Sequence, residues 1–129
     1  MSGGLTALVV EDNKLNLDLV LYVLEHAGWN VRWAMNAEQA RAATSDPVPD
    51  VILMDIQLPG IQGTTLAKEF RQRPGFERVP IVALTAHAMR GDRERFLSEG
   101  FDGYIAKPIE VKSFAKTVEE LVAKKRAQA

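Results

Sequence analysis

Three short runs of this chain, TALVV (6–10), DVILM (50–54) and VPIVAL (79–84), are almost wholly apolar and rich in β-branched residues. Such runs suit strands buried on both faces. Longer segments separate them. KLNLDLVLYVLEHAG (14–28) has helical length and a stop at Gly28, and NAEQARAAT (36–44) opens on Asn36 as N-cap with Gln39 at its third helical position. TTLAKEFRQR (64–73) buries Leu66 and Phe70 as a helix, and HAMRGDRERFLSEG (87–100) reads as a helix weakened by Gly91. The weaker runs NVRWA (30–34) and FDGYIA (101–106) complete a set of five strands, with residues 30–34 nearer a sheet edge. EVKSFAKTVEELVAKK (110–125) closes the chain with an apolar stripe of Val111, Phe114, Val118, Leu121 and Val122. LPGIQG (58–63) reads as a loop. Buried strands joined by helical crossovers form a parallel sheet covered on both faces, so the predicted class is α/β, doubly wound and five-stranded.

Bulk properties narrow the function classes. A length of 129 residues suits one domain with a core that needs no staples. The absence of cysteine excludes disulfides and thiolate metal sites. Sixteen basic and 17 acidic residues give a net charge of −1, so no global field points to nucleic acid. No apolar run reaches the roughly 18 residues that span a membrane, and the N-terminus lacks a secretory pattern. A soluble, cytoplasmic protein without nucleic-acid or membrane partners is the expectation.

In open parallel sheets, ligands bind outside the carboxyl ends of the strands. The polar residues that follow the apolar runs are therefore the candidate site: Glu11 and Asp12, then Asp55, then Thr85, then Lys107 and Pro108. Three carboxylates brought together repel and call for a cation. Hard oxygen donors without histidine or cysteine suit Mg²⁺. A lysine beside them suits a phosphate, Thr85 can donate to one of its oxygens, and Asp55 in the middle can act as a nucleophile.

VVEDN, ILMDIQLPG, ALTA and YIAKP, in this order and spacing, resemble the receiver domain of two-component response regulators, over roughly residues 5–125. VEDNKLN, with Asn13 and Asn16, is similar to receivers of hybrid kinases and stand-alone relay regulators. The resemblance implies a flavodoxin-like (βα)5 fold with the five strands in the order 2-1-3-4-5, a leader over 1–4, a receiver domain over 5–125 and a tail over 126–129. It implies that Asp55 is the phosphoacceptor, that Glu11, Asp12, Asp55 and the Gln57 carbonyl hold Mg²⁺, and that Thr85, Lys107 and Tyr104 read the phosphoryl group. It further implies a cis Lys107–Pro108 bond, a form taken by about 5–6% of X–Pro bonds. Gln57 and His87 occupy positions that tune phosphoryl hydrolysis, and Leu15, Pro108 and Ile109 stand where a partner docks. Where many relatives carry an aspartate before the glycine of the loop after the acceptor, this chain has Gln62 before Gly63.

The implied function is a signalling module. It accepts a phosphoryl group from a phosphohistidine on a kinase or phosphotransfer protein. It then changes the face made by residues 87–99, 101–106 and 110–125 toward a downstream target. No output domain follows residue 126, so either a stand-alone regulator or an excised receiver fits, the initial Met favouring the former.

Three other functions share such a fold. A phosphatase of the aspartyl-phosphate kind needs a general acid two residues after the nucleophile, where this chain has Gln57. A flavodoxin-like carrier needs a phosphate cradle after the first strand, where EDNKLN offers two negative charges. An unphosphorylated adaptor would not require the acidic set. The first helix also carries more apolar residues than one stripe holds, Leu15, Leu17, Leu19, Val20, Leu21, Val23 and Leu24, as packing surface or as a docking patch.

Overall fold

Strand β1 (Thr6–Val10) lies between β2 (Asn30–Ala34) and β3 (Val51–Asp55). A computed structural model describes residues 4–44, 48–86 and 92–128. Two two-residue strands follow β3: β4 (Gln57–Leu58) and β5 (Ile61–Gln62). Then come β6 (Ile81–Thr85) and β7 (Gly103–Ala106). The main sheet is parallel with the order β2-β1-β3-β6-β7, so the five long strands keep the predicted arrangement.

Period-two alternation divides the apolar residues of the central strands between two cores. Leu8, Val10, Ile52, Met54, Ile81 and Ala83 face one side, with Ala37 and Ala40 of α2 (Ala37–Ala43), Leu66 and Phe70 of α3 (Gly63–Arg71) and Phe96 of α4 (Asp92–Ser98). Ala7, Val9, Val51, Leu53, Val82 and Leu84 face the other, with Leu17, Val20, Val23 and Leu24 of α1 (Lys14–His26) and Phe114, Val118 and Val122 of α5 (Phe114–Ala127). A strand covered on both faces can be apolar at every position, which is why these runs do not alternate with polar residues. Among the described residues, no helix is long and apolar enough to cross a membrane.

Local chemistry sets the helix starts. Asn13 Oδ1 accepts from the Asn16 N–H at 3.0 Å and opens α1. Asn36 Oδ1 accepts from the Gln39 N–H at 2.8 Å, while Gln39 Oε1 reaches back to the Met35 N–H, so the predicted cap is present with its return bond one residue earlier. Gly28, at φ +96°, ends α1.

Three expectations change. The loop over 58–63 contains a hairpin, Gln57 and Leu58 pairing with Gln62 and Ile61 across Pro59–Gly60, because Pro59 presets φ and Gly60 supplies the positive φ of +79°. The last helix starts at Phe114, after turns over 111–113, which leaves Val111 half exposed and outside the buried stripe. Asp55 is the last paired residue of β3, opposite Leu84, and does not follow the strand as a loop residue.

Candidate functional site

The ladders of the sheet run just past the strand ends and fix the polar residues there. The Glu11 N–H donates to the Ala34 carbonyl at 2.9 Å, and the Lys107 N–H donates to the Thr85 carbonyl at 2.8 Å. Glu11 and Lys107 are thus held by backbone pairing to neighbouring strands, and Asp55 and Thr85 are themselves strand residues. All four share one cleft of about 500 Å³, with Asp12, Asn13, Asn16, Ile56, Gln57, Ala86 and Arg95 also in its lining.

Lys107 Nζ stands 2.6 Å from Glu11 Oε1 and 3.3 Å from Asp55 Oδ2. The Glu11 contact is one of charge, since Oε1 has no well-aligned hydrogen bond. Glu11 Oε2 accepts from the Asn13 N–H at 3.3 Å, and Asp55 Oδ1 from the Gln57 N–H at 3.0 Å. Glu11 is fully buried, Asp55 and Thr85 nearly so, and Asp12 is exposed. One carboxylate oxygen from each of Glu11, Asp12 and Asp55 lies within 4.8 Å of the others.

This crowding perturbs the titrations. Burial pushes the Glu11 carboxyl up to about 7, and Asp55 beside it adds to the rise against the opposing pull of Lys107. Burial alone would depress the Lys107 ammonium, but Glu11 and Asp55 outweigh it and hold Lys107 above its ordinary range. Three crowded carboxylates, one of them fully buried, share the single ammonium of Lys107. A hard divalent cation fits this oxygen donor set and would offset the crowding of like charges.

Behind the site, Gly63 packs against the chain that carries Asp55. Its N–H donates to the Ile56 carbonyl at 2.6 Å, and a Cβ here would sit 2.4 Å from the Asp55 carbonyl oxygen and 2.8 Å from Ile56 Cα. Sequence reasoning assigned this loop to local structure alone. A glycine eight positions after the acidic residue is the signal for that close approach.

The remaining predicted residues are placed as follows. Tyr104 is half-buried, its ring 5.6 Å from Phe96. The Lys107–Pro108 peptide bond is cis. The Gln57 side chain is exposed beside the cleft. His87 lies outside the described residues. Leu15 is 81% exposed and Pro108 is exposed, but Ile109 is buried in the core with Phe114 and Val118 and offers little surface for docking. Arg95, which lines the cleft from α4, was not singled out from the sequence because helical periodicity reads it as a solvated charge.

The chain resembles known proteins in sequence and fold. The family model described as the response regulator receiver domain matches residues 7–119. The polar-differentiation response regulator DivK of Brucella anthropi is 37% identical over 113 residues, covering 88% of this chain and 92% of that protein. Among solved structures, the receiver domain of the sensor histidine kinase PA1611 from Pseudomonas aeruginosa, with a magnesium ion coordinated in its active-site cleft, is 34% identical. It aligns with a TM-score of 0.83 over 94% of this chain and 99% of that one. The chemotaxis response regulator CheY4 of Vibrio cholerae is 25% identical with a TM-score of 0.85, over 91% and 98% of the two chains. By fold, by acidic cleft and by sequence, the chain belongs to the response regulator receiver domain family.

Proposed function

We propose that Asp55 is the phosphoacceptor of this receiver, in a reaction that depends on Mg²⁺ bound by Glu11, Asp12, Asp55 and the Gln57 carbonyl. The supporting observation is the convergence of three carboxylates, Lys107 and Thr85, from four strand ends, in one cleft. The bound ion supplies charge neutralisation for the phosphoryl oxygens.

The chain's own residues do the rest. Asp55 stands on a rigid strand, and Gln57 holds its Oδ1. A carboxylate oxygen attacks the phosphorus of a phosphohistidine. The P–N bond breaks, its electron pair stays on the imidazole nitrogen, and an acyl phosphate forms. Lys107, already 3.3 Å from Asp55, offsets charge on the phosphoryl oxygens. The Thr85 hydroxyl donates to one of those oxygens. The loop after Thr85 follows, and Tyr104, now against Phe96, changes its packing. The face of α4, β7 and α5 then presents a different surface to a downstream target. Gln57 and His87 tune how water reaches the acyl phosphate. Histidine kinases or phosphotransfer proteins approach over Leu15 and Pro108, within a receiver unit of 5–125 flanked by a leader and a tail. The chain catalyses its own phosphorylation and dephosphorylation without a separate turnover substrate.

Acetyl phosphate with Mg²⁺ is expected to add one phosphate to the wild-type chain and none to Asp55→Asn, as read by intact mass. Label on the Asp55→Asn chain refutes the assignment.

A further inference from the structure

The β4–β5 hairpin follows Asp55 directly, and its register decides which way the backbone of Gln57 faces. Leu58 pairs with Ile61 and Gln57 with Gln62, across Pro59–Gly60. In an antiparallel ladder, residues that exchange backbone hydrogen bonds alternate with residues that do not. A two-residue turn that contains Pro59, which has no N–H, puts one bonded pair at Leu58 and Ile61 and the next at Ile56 and Gly63. The Gly63 N–H does donate to the Ile56 carbonyl, at 2.6 Å. Gln57 and Gln62 are therefore the unbonded pair between them.

The N–H and C=O of one extended residue point to the same side. Those of Gln57 point away from Gln62. The N–H donates to Asp55 Oδ1 at 3.0 Å, while Asp55 Oδ2 stands 3.3 Å from Lys107 Nζ. The Gln57 carbonyl shares the direction of its N–H, toward the acceptor carboxylate. A slip of the hairpin by one residue would turn both groups into the ladder and away from Asp55. Gly63 permits the second bonded pair, because a Cβ there would run into the Asp55 carbonyl oxygen and Ile56 Cα.

We propose that the β4–β5 hairpin is a positioning device for the acceptor, with Ile61 and Gly63 as its positioning residues. Their two backbone N–H groups set the phase that turns the Gln57 N–H onto Asp55 and the Gln57 carbonyl toward the cation site. The proposal rests on the reading of Asp55 as acceptor and of the Gln57 carbonyl as metal ligand. It adds the element that orients both, and Ile61 and Gly63 act through Gln57.

The test compares wild type with Ile61→Pro, which deletes a ladder N–H, with Ile61→Ala, which keeps it and trims the side chain, and with Gln62→Pro. Gln62 has a φ of −78°, which proline adopts, and its N–H lies outside the ladder. The readouts are the NMR shift of the Gln57 amide in chelator and the Mg²⁺ dissociation constant by calorimetry. Ile61→Pro is expected to move the Gln57 amide off its hydrogen-bonded shift and to weaken Mg²⁺ binding about tenfold, the size of one charge-assisted hydrogen bond. Ile61→Ala and Gln62→Pro should keep the shift and bind Mg²⁺ within about twofold of wild type. A folded Ile61→Pro with an unmoved amide and wild-type affinity overturns the proposal. So does an equal loss in Ile61→Ala, which marks side-chain packing. Where Ile61→Pro fails to fold, hydrogen exchange on the wild type decides: protected Ile61 and Gly63 amides beside a fast Gln62 amide support the phase, and three equal rates overturn it. A wild-type chain that takes no label from acetyl phosphate overturns the acceptor role of Asp55 and this proposal with it, whereas a labelled wild type with an unaffected Ile61→Pro overturns this proposal alone.

Discussion

Glu11 and Lys107, from opposite ends of the chain, meet at 2.6 Å in a cleft where Glu11 has no exposed surface. The ammonium also reaches Asp55, so one positive charge answers two buried carboxylates. The consequences are measurable with and without metal.

The Glu11 titration sets a pH dependence. Its carboxyl titrates near an ordinary 4.5 when the chain is unfolded and near 7 when folded. Below 4.5 both states hold the proton and the site carries no penalty. As pH rises from 4.5 to 7 the unfolded chain releases a proton that the folded chain retains, so stability from this group falls and then levels off. In chelator, the loss should be on the order of 2–3 kcal/mol by pH 8. Urea titrations across pH should show it, Glu11→Gln should remove it, and millimolar Mg²⁺ should reverse it. A flat profile between pH 5 and 8 in the wild type counts against the geometry.

Lys107→Met should destabilise the metal-free chain by about 2 kcal/mol at pH 8, since it leaves carboxylates buried without a partner. At pH 5 the cost should fall, because Glu11 takes up a proton instead. Thermal melts at the two pH values separate these outcomes, and an equal cost at both would mean that Lys107 acts through packing.

Gly63→Ala should cost about 1–3 kcal/mol, because the new methyl meets backbone and cannot move it freely. It should also displace Asp55 and weaken Mg²⁺ binding, measured by calorimetry. Gly60→Ala is the control. It sits at φ +79° with open space around its Cβ position, so it should cost about 1 kcal/mol and leave the Mg²⁺ affinity unchanged.

At the far end of the sheet, Asp102 accepts from Arg71 at 2.7 Å, from Lys125 at 2.7 Å and from the Ile81 N–H at 2.8 Å. Arg71 also donates to the carbonyls of Phe76, Val79 and Gly100. Asp102→Ala should therefore lower stability by about 2–3 kcal/mol while acetyl phosphate labelling proceeds at the wild-type rate. A labelling defect at 20 °C, well below the melting point, would show that this network reaches the cleft.

Leu15→Glu should leave stability within about 0.5 kcal/mol, because the residue is 81% exposed. Transfer from a phosphorylated histidine kinase that labels the wild type should slow about tenfold, while labelling by acetyl phosphate stays unchanged. Equal rates from both donors would remove the α1 face from the docking surface.

The apolar runs at 6–10, 50–54 and 79–84 were enough to read buried parallel strands, because a strand covered on both faces has no polar position to disguise it. The polar residues that end those runs were legible as one site for the same reason: a parallel sheet gathers its carboxyl ends on one edge. Asn13, Asn36 and Gly28 marked helix ends through chemistry that acts within a few residues. What lay beyond local reach was decided by packing. Gly63 is required by backbone from β3 that approaches it, Ile109 is buried in the core with Phe114 and Val118, and Arg95 lines the cleft from a helix whose own pattern makes it a surface charge. The rise of Glu11 to about 7 depends on burial beside Asp55 and Lys107. Periodicity and caps are properties of neighbours along the chain, whereas desolvation and close approach arise only between residues that folding brings together.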